Sequence, residues 1–445
     1  MSRPARRRSR HPVGSHPRPP ALAVTGRAVV VATSTLATGL PALAGAGVRC
    51  FTQGREPAKR YLYQRIVRQV ERLGPTYIKF GQILGTRRDV LPITLCEELG
   101  RLHADVRPLE PGVARQALIE AYGPEMDLLF AQIDLEAVSS GSIASVYRAL
   151  LPNGEAVALK LRRPGIRRRM LLDLAALTAL IGFAGRVPPF RGAPTAELAG
   201  YIADAVLRQL DFDVERENLT RLRKNFSAAD EVWIPRTMPE LSRPNCVVME
   251  FIPGLVHGPV AQLTPERRAK LAARTLQAVY QMLFLDGFVH CDLHPGNVYF
   301  VGPRVVVLDA GFSVQLPPTV RRQFADFFLG MALGRGRRCG EIVAESSLGA
   351  APDADIETFV AAVADLVIRN SGVPAKEFRL LNFGTQLFAL QRDHGLYAAS
   401  EFVFPLMSLL VIEGTIRELD PDVDFQAVAR PLLLRAAAAW AGAPD

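Results

Sequence analysis

The segment HCDLHPGN, His290 to Asn297, holds the residues best suited to chemistry. Asp292 and Asn297, on one loop, can divide two tasks of phosphoryl transfer. Asp292 can orient an incoming hydroxyl or water, or accept its proton. Asn297 can offer an amide oxygen to a hard cation such as Mg²⁺. Asp309 follows the apolar run VVVL and precedes Ala310-Gly311. A carboxylate exposed at the end of a buried strand is placed to bridge Mg²⁺ and phosphates. A mere turn capped by Asp and Asn would need neither the Asp-x4-Asn spacing nor the strand-ending Asp-x-Gly.

Lys160 lies in AVALK, a strand in which a lone lysine would ordinarily face solvent. The tract before it, SSGSIASV, fits the frame GxGxxGxV of a phosphate-covering loop. Gly141 is kept, Ser139 and Ala144 replace the other two glycines, and Val146 holds its place. Ser139, Ser140, Gly141, Ser142 and Val146 are therefore candidate nucleotide-binding positions, and a hairpin would bring Lys160 under the phosphates. Glu215, in QLDFDVERENL, is the candidate helical acid to pair with Lys160; the plain alternative is an exposed helix glutamate, with Asp211, Asp213 and Glu217 close by. Glu250 is the penultimate residue of the strand CVVMEF (Cys246 to Phe251), where a hinge backbone would meet adenine. ATP and Mg²⁺ are the expected cofactors.

These residues need a β-rich lobe, a hinge and a helical lobe. Alternating apolar residues from Ile143 to Leu151 and from Glu155 to Leu161 predict a hairpin turned at Pro152-Asn153-Gly154. A helical stretch is expected from about Arg60 to His103, with Pro75 and Pro92 as starts or breaks. Met170 to Gly185 reads as an apolar helix, Arg186 to Pro194 as a linker, and about Ala196 to Arg223 as one long amphipathic helix. Pro253-Gly254 marks the break between lobes, and a second hairpin, Val298 to Leu308, turns at Gly302-Pro303. The expected class is α+β and two-lobed. Its parts are a disordered basic tail (1–27), an apolar segment (28–50), a helical extension (51–127), a β-rich lobe with a helical insertion (128–252), a helical lobe (253–432) and a short C-terminal tail (433–445).

The net charge of +9 resembles a nucleic-acid signal until it is located. Residues 1–20 hold six arginines and no acid, and the rest of the chain carries 47 basic against 44 acidic residues. With no aromatic-basic platform beside that charge, nucleic acid is not an expected partner. The five cysteines form no CxxC pair, which argues against a disulfide framework or a zinc site and suits a reducing compartment. Residues 28–48 carry no charge and follow the basic tail, as a signal peptide or membrane anchor would. Gly39, Pro41, Gly45 and Gly47 weaken a continuous helix there. Membrane association, a buried or loosely packed helix and a cleaved signal are the three readings. The tract RPLLLRAAAAW, near the C-terminus, is too short to span a bilayer.

The segment YIKFGQILGTRRDVLP, Tyr77 to Pro92, resembles the KxGQ region of the UbiB/AarF family of atypical kinases, the group that includes coenzyme Q-associated bacterial and mitochondrial proteins. The resemblance covers roughly residues 60 to 430, including HCDLHPGN and LLVIEGTIRELDPDVD. It implies a protein-kinase-like fold in which KxGQ helices cover the active site, with Lys79 and Gln82 reaching the nucleotide pocket. It also implies ATPase or unorthodox kinase activity in the cytoplasm or at the inner face of a membrane, serving isoprenoid-quinone or other lipid biosynthesis. Membrane lipid, a prenyl-quinone precursor and biosynthetic-complex proteins are the implied partners beside the nucleotide. Three departures stand out. The family's alanine-rich loop reads Ser139-Ser140-Gly141-Ser142, where glycine gives an ordinary loop's backbone freedom. ExD reads Gln209-Leu-Asp211, and DFG reads Asp309-Ala-Gly311. The alternatives are a small-molecule phosphotransferase of the aminoglycoside or choline kinase type, which shares HGDLHPGN-like loops, and a non-catalytic nucleotide-sensing scaffold.

Overall fold

The structure, a computed structural model, describes residues 19–88, 90–102, 107–184, 195–255, 263–350, 354–371, 373–374 and 376–441. The first eighteen residues of the expected disordered tail and the expected linker from Arg186 to Pro194 lie outside the described residues. The chain forms two compact units, Met1–Phe80 with Gly165–Leu207 and Gly81–Pro164 with Arg208–Asp445.

The first unit is helical: α1 (Ala21–Gln53), α2 (Arg55–Leu73), the first half of α3 (Pro75–Gly85), α7 (Ile166–Ala184) and α8 (Thr195–Arg208). The apolar segment 28–48 was expected to be weakened by its glycines and proline. It lies instead in one continuous helix with Pro41 inside it, beginning within the stretch read as a tail. The packing explains Gly45. A Cβ there would stand 2.9 Å from Tyr61 Oη, so the missing side chain admits α2 rather than breaking the helix. The Arg49 guanidinium stacks 3.8 Å from the centre of the same ring.

The second unit begins with the rest of α3, α4 (Ile93–Leu99), α5 (Pro111–Tyr122) and α6 (Met126–Leu129). A sheet follows: β1 (Gln132–Ile133), β2 (Ser139–Ser140), β3 (Ala144–Leu150), β4 (Ala156–Arg162) and, later, β6 (Cys246–Glu250). Its order is β1-β3-β4-β6, with β2 also on β3. The β3–β4 hairpin turns where expected, with Gly154 at φ 83°. Strand alternation sorts the faces. Val157, Leu159 and Leu161 pack with Tyr147, Leu118 and Phe130, while Ala158 and Lys160 take the opposite face, where Phe212, Leu219 and Leu222 lie.

Those last residues belong to α9 (Phe212–Asn225). The single helix expected from Ala196 to Arg223 is broken between α8 and α9. Asp211 caps α9, its carboxylate accepting hydrogen bonds from the Asp213 and Val214 amides. Beyond Pro253-Gly254 come α10 (Pro265–Tyr280), a π-helical turn (Gln281–Asp286), α11 (Pro318–Ala332), α12 (Gly336–Glu345), α13 (Ile356–Asn370), α14 (Leu380–Asp393), α15 (Ser400–Leu419) and α16 (Phe425–Ala441). The short C-terminal tail expected from residue 433 is the second half of α16. Its Phe425, Ala429, Leu432, Leu433 and Ala436 recur at helical spacing and are buried. Short strands interleave with these helices. They are β5 (Val232–Trp233) beside the hairpin β8 (Val298–Val301) and β9 (Arg304–Val307), then β7 (Phe288–His290) with β10 (Ser313–Gln315), and β11 (Ser347–Ala350) with β12 (Leu396–Ala398).

Candidate functional site

Lys160 sits mid-strand on the sheet face that meets α9. Its Nζ lies 2.6 Å from Glu215 Oε1 and 3.0 Å from Asp309 Oδ1. Glu215 is buried and the Lys160 side chain only 11% exposed, whereas the Asp309 side chain is 48% exposed. Burial opposes the lysine's charge, but Asp309 and Glu215 outweigh it and hold its pKa above the usual lysine range. Burial pushes Glu215 up to about 7, with Lys160 pulling against the rise and Asp309 adding to it. Glu215 Oε2 is buried with no hydrogen-bond partner among the described residues.

Asp309 is the only non-glycine described residue with positive φ, at 53°. That backbone conformation is costly for an aspartate and is retained where the surroundings impose it. They do so through hydrogen bonds. Asn218, one turn past Glu215 on α9, donates to the Ala310 carbonyl at 2.9 Å, and the Ser313 hydroxyl donates to the same oxygen. Where phenylalanine was absent from the turn, a fully buried Ala310 tied to α9 takes its place, and Phe312 anchors the exit against Phe404.

The loop from His290 to Asn297 leaves β7 in register with β10, Ser313 opposite His290. The buried His290 was quoted in the motif without a role. Its Nδ1 accepts the Asp292 amide at 3.1 Å, and its Nε2 lies 3.2 Å from the Leu308 carbonyl. One ring thus ties the loop bearing Asp292 to the strand end bearing Asp309. A ring that accepts at Nδ1 must be neutral, and burial lowers its pKa accordingly. Asn297 Nδ2 donates to the Asp292 carbonyl at 2.8 Å, which leaves the amide oxygen as the atom suited to a cation. Gly296 is required by close approach, since a Cβ there would meet the His294 ring at 2.6 Å.

Ser139 and Ser140 form β2, paired with Val146 and Ser145, so the SSGS tract is the tip of a β-hairpin closed by Gly141 N to Ala144 O at 2.8 Å. Gly141 does not use its backbone freedom. Its φ is not positive, and a Cβ would make only ordinary contact with the Ala144 carbonyl at 3.7 Å. The loop is held from below by Arg163, which the sequence reading missed. Its Nε donates to the Gly141 carbonyl and its Nη2 to Ser140 Oγ, both at 2.8 Å. Only its position, three residues beyond Lys160 on the same hairpin, could have signalled it.

Glu250 ends β6, opposite Val157. Its carboxylate accepts the Arg236 amide at 3.0 Å and lies 3.7 Å from Arg223, so its side chain braces the strand end. Gln82 donates to the Leu102 carbonyl at 2.9 Å, and Arg87 and Arg88, further along the same segment, reach the Ala398 carbonyl and Thr385 hydroxyl. Lys79 belongs to the first unit. Gln209, in place of the ExD glutamate, packs beside Gly311, with Nε2 buried and unpartnered among the described residues.

Among the described residues no three His, Cys, Asp or Glu side chains cluster as a closed metal cage would require. One carboxylate and one amide oxygen, Asp309 and Asn297, fit instead an ion that keeps waters and substrate phosphates in its shell, as Mg²⁺ does.

The ABC1 atypical kinase-like domain matches residues 101–343. Similar curated proteins include a probable protein kinase UbiB of Pseudomonas entomophila (strain L48), 30% identical over 389 residues, which are 86% of this chain and 72% of that protein. Another of that name, from Marinobacter nauticus (strain ATCC 700491 / DSM 11845 / VT8), is 30% identical over 377 residues, 82% of this chain and 68% of that one. Among solved structures, the Rv3197–erythromycin complex from Mycobacterium tuberculosis matches with a TM-score of 0.58 at 18% identity, covering 82% of this chain and 90% of that chain. That last likeness is one of fold.

Proposed function

Given that this chain belongs to the ABC1 family of atypical kinase-like proteins, we propose that it is a Mg-ATP-dependent kinase or ATPase serving isoprenoid-quinone or other lipid biosynthesis. The observation that carries the catalytic part is the convergence of Glu215 and Asp309 on Lys160, with Asn297 and Asp292 locked into one loop.

In this reading Glu215 fixes Lys160, and Lys160 orients phosphate oxygens. The hairpin tip of Ser139, Ser140, Gly141 and Ser142 covers the phosphates with backbone amides, and Val146 lines the nucleotide beneath it. The backbone at Glu250 meets the base. Asn297 and Asp309 would hold Mg²⁺, which would neutralise phosphate charge in the transferring group. Asp292 orients the acceptor hydroxyl or water, or takes its proton. The quinone or lipid role follows the relatives' name, probable protein kinase UbiB, and site of action is the inner face of a membrane reached through the N-terminal region.

The test has two arms. Purified protein should bind and turn over ATP only with Mg²⁺, and Asp309→Asn should lose that turnover; none under any lipid or detergent condition removes the enzymatic half. Lipid and metabolite profiles of a deletion strain rescued by wild type but not by Asp309→Asn should identify the pathway. Full rescue by both Asp292→Asn and Asp309→Asn would favour a scaffold.

A further inference from the structure

Helix α1 is turned inside out for a protein in water. Taking 100° per residue, Leu22, Val29, Val30, Leu36, Leu40, Leu43, Val48 and Phe51 fall within an arc of about 140°. All eight are exposed, from 53% at Val30 to 96% at Phe51. The opposite face is the packed one and carries the polar side chains that bond other helices, while the strip's own Thr25 and Thr33 hydroxyls bond the backbone of α1 itself. Ser34 and Thr38 hydrogen-bond the buried Gln69 of α2, and Arg27 lies 2.6 Å from Asp173 of α7. An exposed apolar strip of this length marks a surface that meets something apolar.

The uncharged run 28–48 is about 31 Å long as a helix, enough to cross a bilayer's hydrocarbon. The packing rules crossing out. Contacts pair Arg49 and Gly45 with Tyr61, Ser34 and Thr38 with Gln69, and Arg27 with Tyr77, so α2 and the start of α3 run antiparallel along the whole stretch. On that length α2 carries Arg65, Arg68, Glu71 and Arg72. A spanning α1 would draw them into hydrocarbon, where charges are costly. A helix lying in the surface plane keeps α2 in water and still buries its outward face.

Charge selects the surface. Residues 1–55 contain nine arginines and no Asp or Glu, and Arg55, Lys59 and Arg60 are exposed where α2 leaves α1, with Glu56 paired to Lys59. Such a segment is attracted to anionic headgroups.

We propose that α1 lies in the plane of an anionic membrane surface, its Leu22-to-Phe51 strip in the acyl boundary, as a docking face and not as a transmembrane anchor. The proposal deepens the membrane part of the functional reading and rests on it. The experiment uses the full-length chain with preformed phosphatidylethanolamine/phosphatidylglycerol vesicles and, as control, phosphatidylcholine vesicles. Wild type should float with the anionic vesicles and not with the neutral ones. Leu36→Gln/Leu40→Gln/Leu43→Gln should lower that partition at least tenfold, with Mg-ATP binding and melting temperature unchanged.

Depth is read on a second variant, Leu36→Cys in a Cys50→Ser background, carrying a fluorophore. Headgroup-level nitroxide lipids should quench it more than those at the bilayer centre. Strongest quenching at the centre means that α1 spans; it overturns the in-plane placement while sparing membrane association. No flotation overturns both. A strip that instead supports a concentration-dependent dimer, lost in the triple variant, assigns it to a second copy and also overturns the proposal. The depth reading holds even if the triple variant fails to fold.

Discussion

Two buried glutamates in the second unit have opposite surroundings. Glu413, on α15, is satisfied on both oxygens. Oε1 accepts the Leu380 amide and the Arg417 Nε, and Oε2 accepts the Leu381 amide, so the side chain caps the start of α14. Glu215, on α9, holds Lys160 with one oxygen and has no partner on the other among the described residues. A glutamate whose hydrogen bonds are complete is a fixture of the fold. One left half-satisfied beside a lysine and a strained aspartate contributes less to the fold, because an unmet buried acceptor costs stability.

The comparison predicts a dissociation between stability and activity. Glu413→Ala leaves two amides and the Arg417 Nε without their acceptor, and should cost about 3–5 kcal/mol of stability in urea or thermal melts. Glu215→Ala leaves Lys160 on Asp309. It should cost only about 1–2 kcal/mol but lower ATP turnover on the order of 100-fold by releasing the lysine. Equal stability losses at the two sites would break the comparison. Arg163→Ala, which frees the hairpin tip, should raise the nucleotide KM about tenfold, roughly 1.4 kcal/mol, with a smaller change in kcat.

A pH experiment sharpens the contrast. Glu215 binds its proton up to about 7 in the folded chain, against an ordinary value of 4.5. A raised carboxyl contributes stability that is full below 4.5 and is lost as pH rises through about 7. In Mg²⁺-free protein Glu215→Gln should therefore flatten the fall of melting temperature between those values. The smallest effect belongs to Gly141→Ala. With no positive φ and no close neighbour to meet, it should change stability by less than about 0.5 kcal/mol, so any change in nucleotide preference would report on the loop and not on folding.

That Lys160, Glu215 and Asp309 would meet, and that Asp292 and Asn297 would share a loop, was legible because strand ends and loop spacings survive in one dimension. Arg163 and His290 were not read for their roles, since both act on backbone carbonyls or amides of other segments that no spacing reveals. The α8–α9 break could have been read from Asp211, a good capping residue, but the continuous apolar period from Ala196 hid it. Helix α1 failed the other way. Gly45 and Pro41 argued against a helix locally, and packing on Tyr61 overrode them. The C-terminal α16 was read as ending at a short tail from residue 433, although its buried positions keep helical spacing beyond it.

The most direct test of the account is calorimetric titration of ATP into wild type and Asp309→Asn, each with Mg²⁺ and with EDTA. The account predicts binding to wild type that strengthens at least tenfold with Mg²⁺, and an Asp309→Asn variant that folds normally but shows no such gain. Binding equally strong in EDTA, or a full Mg²⁺ effect in Asp309→Asn, would contradict it.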